Sequence, residues 1–199
     1  MKGVMLVVAL LFATTVYAQC EKATAGMLID KTVKLCSENY VFNEGLAIGA
    51  DNIFVDCSGA VIQGTVNKGK FSSAGILVDG RTNVTVLGCH LVNWEKGIEI
   101  KDSSAISIQK NHLIRNNIGI WLQNTRNSIV DESSDISLAM PLRVINSTNN
   151  WLRFENKKIE GEECLTNMCN TQHIQQPTIP TQPTILDQIL YAIINGWLT

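Results

Sequence analysis

Short runs of alternating apolar and polar residues recur along the chain with a period of 22 residues. Each run consists of a small residue or proline, an aliphatic residue, an arbitrary residue and a second aliphatic residue. The four copies begin at Gly75, Gly97, Gly119 and Pro141. Alternation over a few residues is typical of a β-strand that buries one of its faces, so the pattern predicts one such strand per repeat.

Two further apolar runs follow within the repeats. The second run contains Val84 and Val86, then Ile106 and Ile108, then Val130 and Leu152. The third contains Leu91 and Leu113, and Ile136 fills the same slot with an offset of one residue. Three short strands per repeat predict a solenoid, in which each repeat is one coil of a parallel β-helix. Residue i then pairs with residue i+22 in the next coil, about 4.8 Å away.

This register predicts two aliphatic stacks in the interior and an asparagine at one corner. The stacks are Ile76, Ile98, Ile120 and Leu142, and then Val78, Ile100, Leu122 and Val144. Their burial, at roughly 25 cal/mol per Å², is the expected main source of stability. The corner slot holds Asn83, Asn127 and Asn149, with Ala105 as the exception. Asparagine tolerates the left-handed backbone of a tight bend, which explains its recurrence there.

The flanking segments extend and close the solenoid. Gly45–Val55 repeats the pattern with a shorter corner and predicts a fifth coil, followed by a loop over Thr65–Ser73. An open solenoid end exposes an unpaired strand that templates aggregation. We therefore assign Glu21–Tyr40 as an N-terminal cap and Phe154–Cys169 as a C-terminal cap. The expected fold is an all-β parallel β-helix of about five coils with capped ends.

The chain ends predict export and a separate C-terminal element. Residues 1–18 contain a lysine, an apolar run and a small-residue cleavage site ending at Ala18, as in a signal peptide. The β-helix domain is then 19–169, and 170–184 form a linker rich in proline, glutamine and threonine. Residues 185–199 predict an amphipathic helix that docks on the β-helix or on a partner. Neither apolar segment is long enough to span a bilayer comfortably.

The six cysteines predict disulfide bonds. All six follow the predicted cleavage site, and an even number in an exported chain favours disulfides over metal ligands. Proximity in the sequence favours Cys20–Cys36 and Cys164–Cys169, which leaves Cys57–Cys89, two positions near the same corner of neighbouring coils. A zinc site is the competing interpretation, but the cysteines are scattered and form no CxxC motif.

The charge balance argues against some partners. The full chain has a net charge of −2, and removal of residues 1–18 makes it about −3. No basic face is implied, so neither nucleic acid nor an anionic membrane is an expected partner.

Sequons at Asn83 and Asn146 are usable only where the host glycosylates exported proteins.

The repeats also carry a resemblance to a known group of proteins. Cys20, Cys36, the run GLAIGADNIFVDCSGAVIQG from Gly45 to Gly64 and the coils from Gly75 to Leu152 resemble the right-handed parallel β-helix proteins of the NosD-like, pectin-lyase-like group. The resemblance covers roughly residues 20–160. Members of that group include polysaccharide lyases, hydrolases and epimerases, a periplasmic protein of copper-site maturation and exported surface proteins. The resemblance therefore implies a fold but no single activity.

Outward positions of the first strand form two columns that predict a ligand-binding face. The first column is Leu77, Glu99, Trp121 and Arg143, and the second is Asp79, Lys101, Gln123 and Ile145. An outward Trp121 is suited to stacking on a sugar ring, with polar neighbours as hydrogen-bonding groups. The predicted ligand-binding residues are Trp121, Glu99, Lys101, Gln123 and Arg143. The alternative is a stabilising cation–π pair between Arg143 and Trp121.

Catalysis on the same face is a competing interpretation. The candidates for a polysaccharide lyase or hydrolase are Asp79, Glu99, Lys101 and Arg81. One aspartate and one glutamate on adjacent coils supply fewer oxygens than calcium usually takes, and no rung holds two carboxylates. A solvated ladder of alternating charges is the simpler explanation of these residues.

Two histidines are the candidate metal ligands. His90 and His112 are 22 residues apart and so occupy the same outward slot of neighbouring coils. Two imidazoles one coil apart are suited to a transition metal. The next position is Ser134 and no third ligand clearly converges, so ordinary surface histidines are the simpler interpretation. No cofactor is expected.

Taken together, these patterns predict an exported, non-catalytic β-helix protein. Its expected partner is an extracellular or cell-wall polysaccharide, or a surface protein, bound along the face that contains Trp121. One alternative is a lyase or hydrolase acting on an acidic glycan. The other is a purely structural interaction module attached through its C-terminal helix.

Overall fold

The computed structural model describes residues 20–67, 69–154 and 167–169. The predicted signal peptide, linker and C-terminal helix lie outside these residues, as does Cys164 with its predicted disulfide to Cys169. In the described part of the chain every regular element is a β-strand, and the strands wind into a parallel β-solenoid of about six turns. The predicted fold class is confirmed.

Three faces of strands surround one core. The first face consists of β1 (Leu28–Ile29), β4 (Leu46–Ile48), β8 (Lys70–Asp79), β11 (Trp94–Lys101), β14 (Ile118–Gln123) and β16 (Met140–Ile145). The second consists of β2 (Val33–Lys34), β5 (Phe54–Asp56), β9 (Thr85–Leu87), β12 (Ser107–Gln109), β15 (Ile129–Ile136), β17 (Trp151–Phe154) and β18 (Met168–Cys169). The third consists of β3 (Asn39–Phe42), β6 (Val61–Gly64), β10 (His90–Val92), β13 (His112–Ile114) and the end of β15. A short strand, β7 (Val66–Asn67), pairs antiparallel with β8.

From Gly75 onward, neighbouring coils pair with the predicted step of 22 residues. Ile98 lies opposite Ile76 on one side and Ile120 on the other, and Ile120 lies opposite Leu142. All four are buried, as are Val78, Ile100 and Leu122 of the second stack. The register was predictable because a slip of one residue would turn every aliphatic side chain of a strand out of the core.

The segment expected to be an N-terminal cap is itself a turn of the solenoid. Its three strands pair with the next coil at Ile29–Ile48, Val33–Val55 and Tyr40–Ile62. The cap assignment is therefore corrected, and the solenoid has about six turns where about five were expected. The turn escaped detection because its first strand precedes its partner by 19 residues instead of 22 and lacks the small residue that opens the later repeats.

Left-handed backbone marks one corner of successive coils. Asn52, Asn83, Ala105, Asn127 and Asn149 have φ values of 52° to 59°. The side-chain amide of Asn83 donates to Oδ1 of Asn52 at 2.9 Å, so these two corner asparagines bond from one coil to the next. The predicted corner slot is confirmed, and Ala105 adopts the same strained conformation without a side chain that favours it.

The column of buried apolar residues on the third face, which includes Leu91 and Leu113, continues with the carboxylate side chain of Asp135. Asp135, and not Ile136, pairs with Leu113 and is completely buried, whereas Ile136 faces solvent with 64% of its surface exposed. The carboxylate of Asp135 accepts hydrogen bonds from the backbone N–H and the hydroxyl of Ser137. The predicted one-residue offset at Ile136 is therefore wrong. This end of β15 keeps the 22-residue step to β13, and the hydrogen bonds from Ser137 compensate the buried carboxylate.

The predicted loop at Thr65–Ser73 contains a β-hairpin. Strand β7 and the start of β8 pair at Val66–Phe71 and Asn67–Lys70. The hydroxyl of Ser72 also donates to the backbone carbonyl of Thr65 at 3.1 Å. The assignment of this segment as an irregular loop is therefore corrected, since these pairs satisfy backbone groups that a loop would leave to water.

Two disulfides lie in the N-terminal coils. Cys20 bonds to Cys36 with a Cα–Cα distance of 4.7 Å, and Cys57 bonds to Cys89 with a distance of 4.8 Å. These are the two pairs that the sequence favours in this part of the chain. Cys57 and Cys89 are completely buried, so the second bond is a covalent link between neighbouring coils inside the solenoid.

Candidate ligand-binding face

The outer side of the first face carries the residues predicted to bind a ligand. Backbone pairing aligns Leu77, Glu99, Trp121 and Arg143 in one column and Asp79, Lys101, Gln123 and Ile145 in the next. Alternation along each strand sends the intervening aliphatic residues into the core and these residues outward. We use the term Trp121 face for Asp79, Lys96, Glu99, Lys101, Trp121, Gln123 and Arg143.

Trp121 is half-buried and contacts two cations. Nζ of Lys96 lies 4.5 Å from the centroid of the ring, and Cζ of Arg143 lies 4.6 Å from it. Lys96 belongs to the preceding coil and Arg143 to the following one. The cation–π pair of Arg143 with Trp121, raised as an alternative by the sequence, is present together with a second cation. The indole is thus packed between two charged neighbours.

Lys96 is a residue of this face that sequence reasoning missed. Its backbone lies opposite Ala74 and Ile118, which are both buried, so alternation along the strand assigns it to the interior. Its ammonium group instead meets Glu99 and Trp121 on the outer side. The one signal in the sequence is the spacing of three residues between Lys96 and Glu99.

Two ion pairs engage both carboxylates of the face. Nζ of Lys96 lies 2.7 Å from Oε1 of Glu99, and their side chains are only 20% and 14% exposed. Nζ of Lys101 lies 2.9 Å from Oδ2 of Asp79. The hydrogen bond that Lys101 donates to Asp79 is the main cause that raises the pKa of Lys101, and the negative charges of Asp79, Glu99 and Asp102 act in the same direction. Lys101 is therefore held in its charged form.

Arg143 and Trp121 retain unused hydrogen-bonding capacity. Arg143 is exposed, and no carboxylate among the described residues pairs with it. Nε1 of Trp121 is buried and has no hydrogen-bond partner in the described part of the chain. Gln123 lies half-buried between Lys101 and Ile145 in the second column. The Trp121 face therefore holds three cations and two carboxylates, and the excess positive charge lies at Arg143.

The four catalytic candidates do not form an evident reactive group. Asp79, Glu99 and Lys101 share the Trp121 face, but both carboxylates are committed to ion pairs. Arg81 lies at the adjoining corner, where its Nε donates to the carbonyl of Ile48 at 3.2 Å. A general base must lose its proton near the working pH, and the raised pKa of Lys101 opposes that role.

The two candidate metal ligands meet on the third face. His90 and His112 pair across neighbouring coils, and their rings contact edge to face with centroids 4.5 Å apart. Nδ1 of His112 lies 2.6 Å from the hydroxyl of Ser134. Burial lowers the pKa of His90 from its ordinary value of 6.5, and the positive charge that His112 gains on protonation lowers it further.

The histidine pair does not fit a transition-metal site. Protein sites for zinc and copper ordinarily combine three or four nitrogen, sulfur or oxygen ligands. Among the described residues, no group of three or more histidine, cysteine, aspartate or glutamate side chains is arranged to hold a metal ion. The neighbours of the pair in its column are Val61 and Ser134, and one ring nitrogen of His112 already bonds to Ser134.

One comparison with known proteins gives a match. A family model described as "NosD: Periplasmic copper-binding protein (NosD)" matches residues 16–167, a range that includes strands β1 to β17. No match was found among curated proteins or among solved structures. A search of the described residues finds no helix long and apolar enough to cross a membrane.

Proposed function

Because the chain belongs to the NosD family of β-solenoid proteins, we propose that it is an extracytoplasmic, non-catalytic protein that binds an anionic polysaccharide on the Trp121 face. The periplasmic family and the two disulfides point to a location outside the cytoplasm. The proposal narrows the carbohydrate expected from the sequence to one that carries carboxylates, such as a uronic acid polymer.

The proposal rests on the exposed position of Arg143. Its exposed guanidinium group lies over Trp121 and has no carboxylate partner in the described part of the chain. The two carboxylates of the face are held by Lys96 and Lys101. An incoming sugar carboxylate therefore meets a cation without breaking an existing ion pair. Guanidinium groups bind carboxylates through two parallel hydrogen bonds, which favours an acidic sugar over a neutral one.

Trp121 supports this role of Arg143. The cation–π contact restricts the guanidinium group to the surface of the face before any ligand arrives. The buried Nε1–H of Trp121 is an unused donor, and leaving such a group unpaired costs free energy. A ligand oxygen that reaches this buried N–H on binding would accept a hydrogen bond from it. Binding then gains a hydrogen bond that the free protein lacks.

The charges of the face favour binding over catalysis. Glu99 pairs with the shielded Lys96, and Asp79 pairs with Lys101, whose pKa is raised. A lyase needs a deprotonated base beside the sugar, and a hydrolase needs two carboxyl groups in complementary protonation states. The proposed function therefore assigns these four residues to electrostatic organisation of the face.

Copper has no part in the proposal. The family description names copper binding, but the described residues of this chain offer two imidazoles and no third ligand. No step of the proposed function depends on a metal ion.

Titration of the mature protein, residues 19–199, with tetragalacturonate by calorimetry tests the proposal. The Arg143→Gln variant should bind about tenfold more weakly or worse, because a charge-assisted hydrogen bond contributes roughly 1.5–3 kcal/mol. Trp121→Leu should weaken binding by a similar factor. Added salt should weaken binding by the wild type more than binding by Arg143→Gln.

Two variants serve as controls. Arg126→Gln removes an exposed arginine from a corner of the solenoid and should leave the affinity unchanged. Glu99→Gln should also retain binding, since it removes a carboxylate from the face. Equal affinity for a neutral tetrasaccharide would contradict the assignment of an anionic ligand. Release of unsaturated or reducing-end products that depends on Glu99 or Asp79 would instead establish an enzyme.

A further inference from the structure

A groove lies beside the β7–β8 hairpin, at a corner of the solenoid that is separate from the Trp121 face. It has a volume of about 450 Å³ and is lined by Asn43, Thr65, Asn67, Lys70, Phe71 and Ser72. This volume falls within the range of roughly 300–1,000 Å³ that is common for small-molecule sites. None of these six residues belongs to any of the candidate sites predicted from the sequence.

The hairpin gives the groove a rigid wall. Phe71 pairs with Val66 and Lys70 pairs with Asn67 across the two strands. Ser72 pairs with Trp94 of the next coil, and Nε1 of the completely buried Trp94 donates to the carbonyl of Ile62 at 2.9 Å. The hairpin is therefore continuous with the core of the solenoid. The backbone that carries Phe71 and Ser72 is held in place by these pairs before a ligand arrives, which lowers the entropy cost of binding.

Three polar side chains of the groove are available to a ligand. The described part of the chain offers no hydrogen bond or ion pair to the side chains of Asn43, Asn67 or Lys70, and all three are exposed. The hydroxyl groups of Thr65 and Ser72 contact each other at 3.3 Å and keep further acceptor capacity. Phe71 is half-buried and adds an aromatic surface to the same groove.

We propose that this groove is a second sugar-binding subsite, which takes one pyranose residue of an acidic glycan. Each amide offers a donor and an acceptor to neighbouring sugar hydroxyls, and the ring of Phe71 packs against the apolar face of the pyranose. Lys70 is the counter-ion of the sugar carboxylate. The inference rests on the proposed function for its ligand class, since it extends glycan binding from the Trp121 face to the hairpin.

The two subsites are close enough for one glycan chain to reach both. Ser72 and Leu77 belong to the same strand, and Leu77 lies in the column of Trp121 two coils away. With a rise of about 3.3 Å per residue and about 4.8 Å per coil, the backbone positions of Ser72 and Trp121 lie roughly 20 Å apart. Simultaneous engagement would raise the apparent affinity for a long glycan above that for a short one.

Nuclear magnetic resonance of the side-chain amides gives a readout specific to the groove. The mature protein, residues 19–199, is titrated with digalacturonate, and the amide signals of Asn43 and Asn67 are followed. Both signals should shift on binding in the wild type and in Trp121→Leu. In Phe71→Leu and Lys70→Gln the concentration needed for half of the shift should rise about tenfold, the factor expected from loss of one strong contact. Asn39→Ala and Ile136→Thr change exposed residues elsewhere and should behave as the wild type.

The outcomes separate this inference from the proposed function. Shifts at Asn43 and Asn67 whose midpoint stays unchanged when Arg143→Gln weakens binding at the Trp121 face would support the groove as an independent subsite. The same shifts without any binding at the Trp121 face would support the groove and overturn the proposed function. Absence of a shift at both asparagines under conditions where the Trp121 face binds would overturn the inference. Equal shifts with a neutral disaccharide would overturn the role of Lys70.

Discussion

Individual residues at the corners decide how the chain turns between faces. Four of the five residues of one corner column are asparagine, and the fifth is Ala105, with φ of 54°. A left-handed backbone costs an L-residue other than glycine or asparagine roughly 1–2 kcal/mol. The repeat of the sequence predicted the corner, and the backbone shows that Ala105 keeps it at a cost in stability.

Ala105→Asn should therefore stabilise the protein. The new side chain relieves the backbone strain and lies between Asn83 and Asn127 in the same corner column, so we expect a gain of about 1 kcal/mol in the free energy of unfolding. Urea denaturation followed by circular dichroism measures the change as a higher midpoint at constant slope. Asn127→Ala is the matched control and should lower the midpoint. An unchanged midpoint for Ala105→Asn would contradict the assigned strain.

The titration of His90 makes the stability of the whole fold depend on pH. Burial and the neighbouring His112 lower its pKa in the folded protein below the ordinary value of 6.5. The unfolded chain therefore binds more protons than the folded one as the pH falls through 6.5 toward the folded pKa. Above pH 6.5 the contribution of His90 to the free energy of unfolding is fully present. It is lost progressively as the pH falls from 6.5 to the pKa of His90 in the folded protein.

We expect acidification from pH 7 to pH 5 to lower the thermal midpoint of the wild type more than that of His90→Gln. The imidazole titration of His90 followed by nuclear magnetic resonance should give a pKa below that of an unstructured peptide. Replacement of the partner, His112→Gln, should move that pKa back upward, because it removes a neighbouring positive charge. A pKa of His90 at or above 6.5 in the wild type would refute this assignment.

Asp135 shows why residue identity alone did not locate the third strand of its coil. The aliphatic Ile136 was the better candidate for the core, and hydrophobic pattern reasoning has no means to favour a carboxylate there. The structure buries Asp135 because the following Ser137 supplies two hydrogen bonds. Local satisfaction of a polar group thus outweighed the gain from burying Ile136.

At the scale of elements, the disulfide between Cys57 and Cys89 links two coils that otherwise meet through short strands. Strands β5 and β9 contain three residues each and pair directly. A covalent link at their corner restricts the unfolded chain by closing a loop of 32 residues. It also keeps the first coils in register, since either strand alone offers few hydrogen bonds.

Removal of this link in Cys57→Ala/Cys89→Ala should lower the free energy of unfolding by about 3–4 kcal/mol. The matched variant Cys20→Ala/Cys36→Ala opens a loop half as long, with a separation of 16 residues, and should cost about 0.6 kcal/mol less. Urea denaturation of both variants under oxidising conditions measures the difference. A larger loss from the Cys20–Cys36 pair would show that closure of the first turn, and not loop length, dominates.

The first turn of the solenoid lacks part of the regular spacing by which the later repeats are recognised in the sequence. Its second and third strands keep the 22-residue step, but its first strand pairs across 19 residues and contains only two residues. Leu28 on that strand is 63% exposed, as expected for a residue that pairs with Ala47 in the outward column. Edge coils have a neighbour on one side only, and the pressure for a regular motif is weaker there.

At the scale of the whole molecule, the solenoid supplies a scaffold and its surface decides the function. The chain has the fold of its family, yet the described residues do not reproduce a metal site of the kind that the family description suggests. The parallel coils instead align charged and aromatic side chains of distant sequence positions into columns on one face. Fold membership therefore constrains location and architecture, whereas the proposed glycan binding rests on particular side chains.

The sequence alone determined the repeat, the register, the interior stacks and the corner positions. These follow from a fixed period combined with two-residue alternation, because a parallel solenoid translates sequence spacing directly into spatial adjacency. Only the tertiary structure decided that Lys96 and Arg143 both contact Trp121, that Asp135 is buried and that a hairpin forms a groove. Those outcomes depend on where side chains end and which polar groups find partners across coils, and neither is encoded in the period of the repeat.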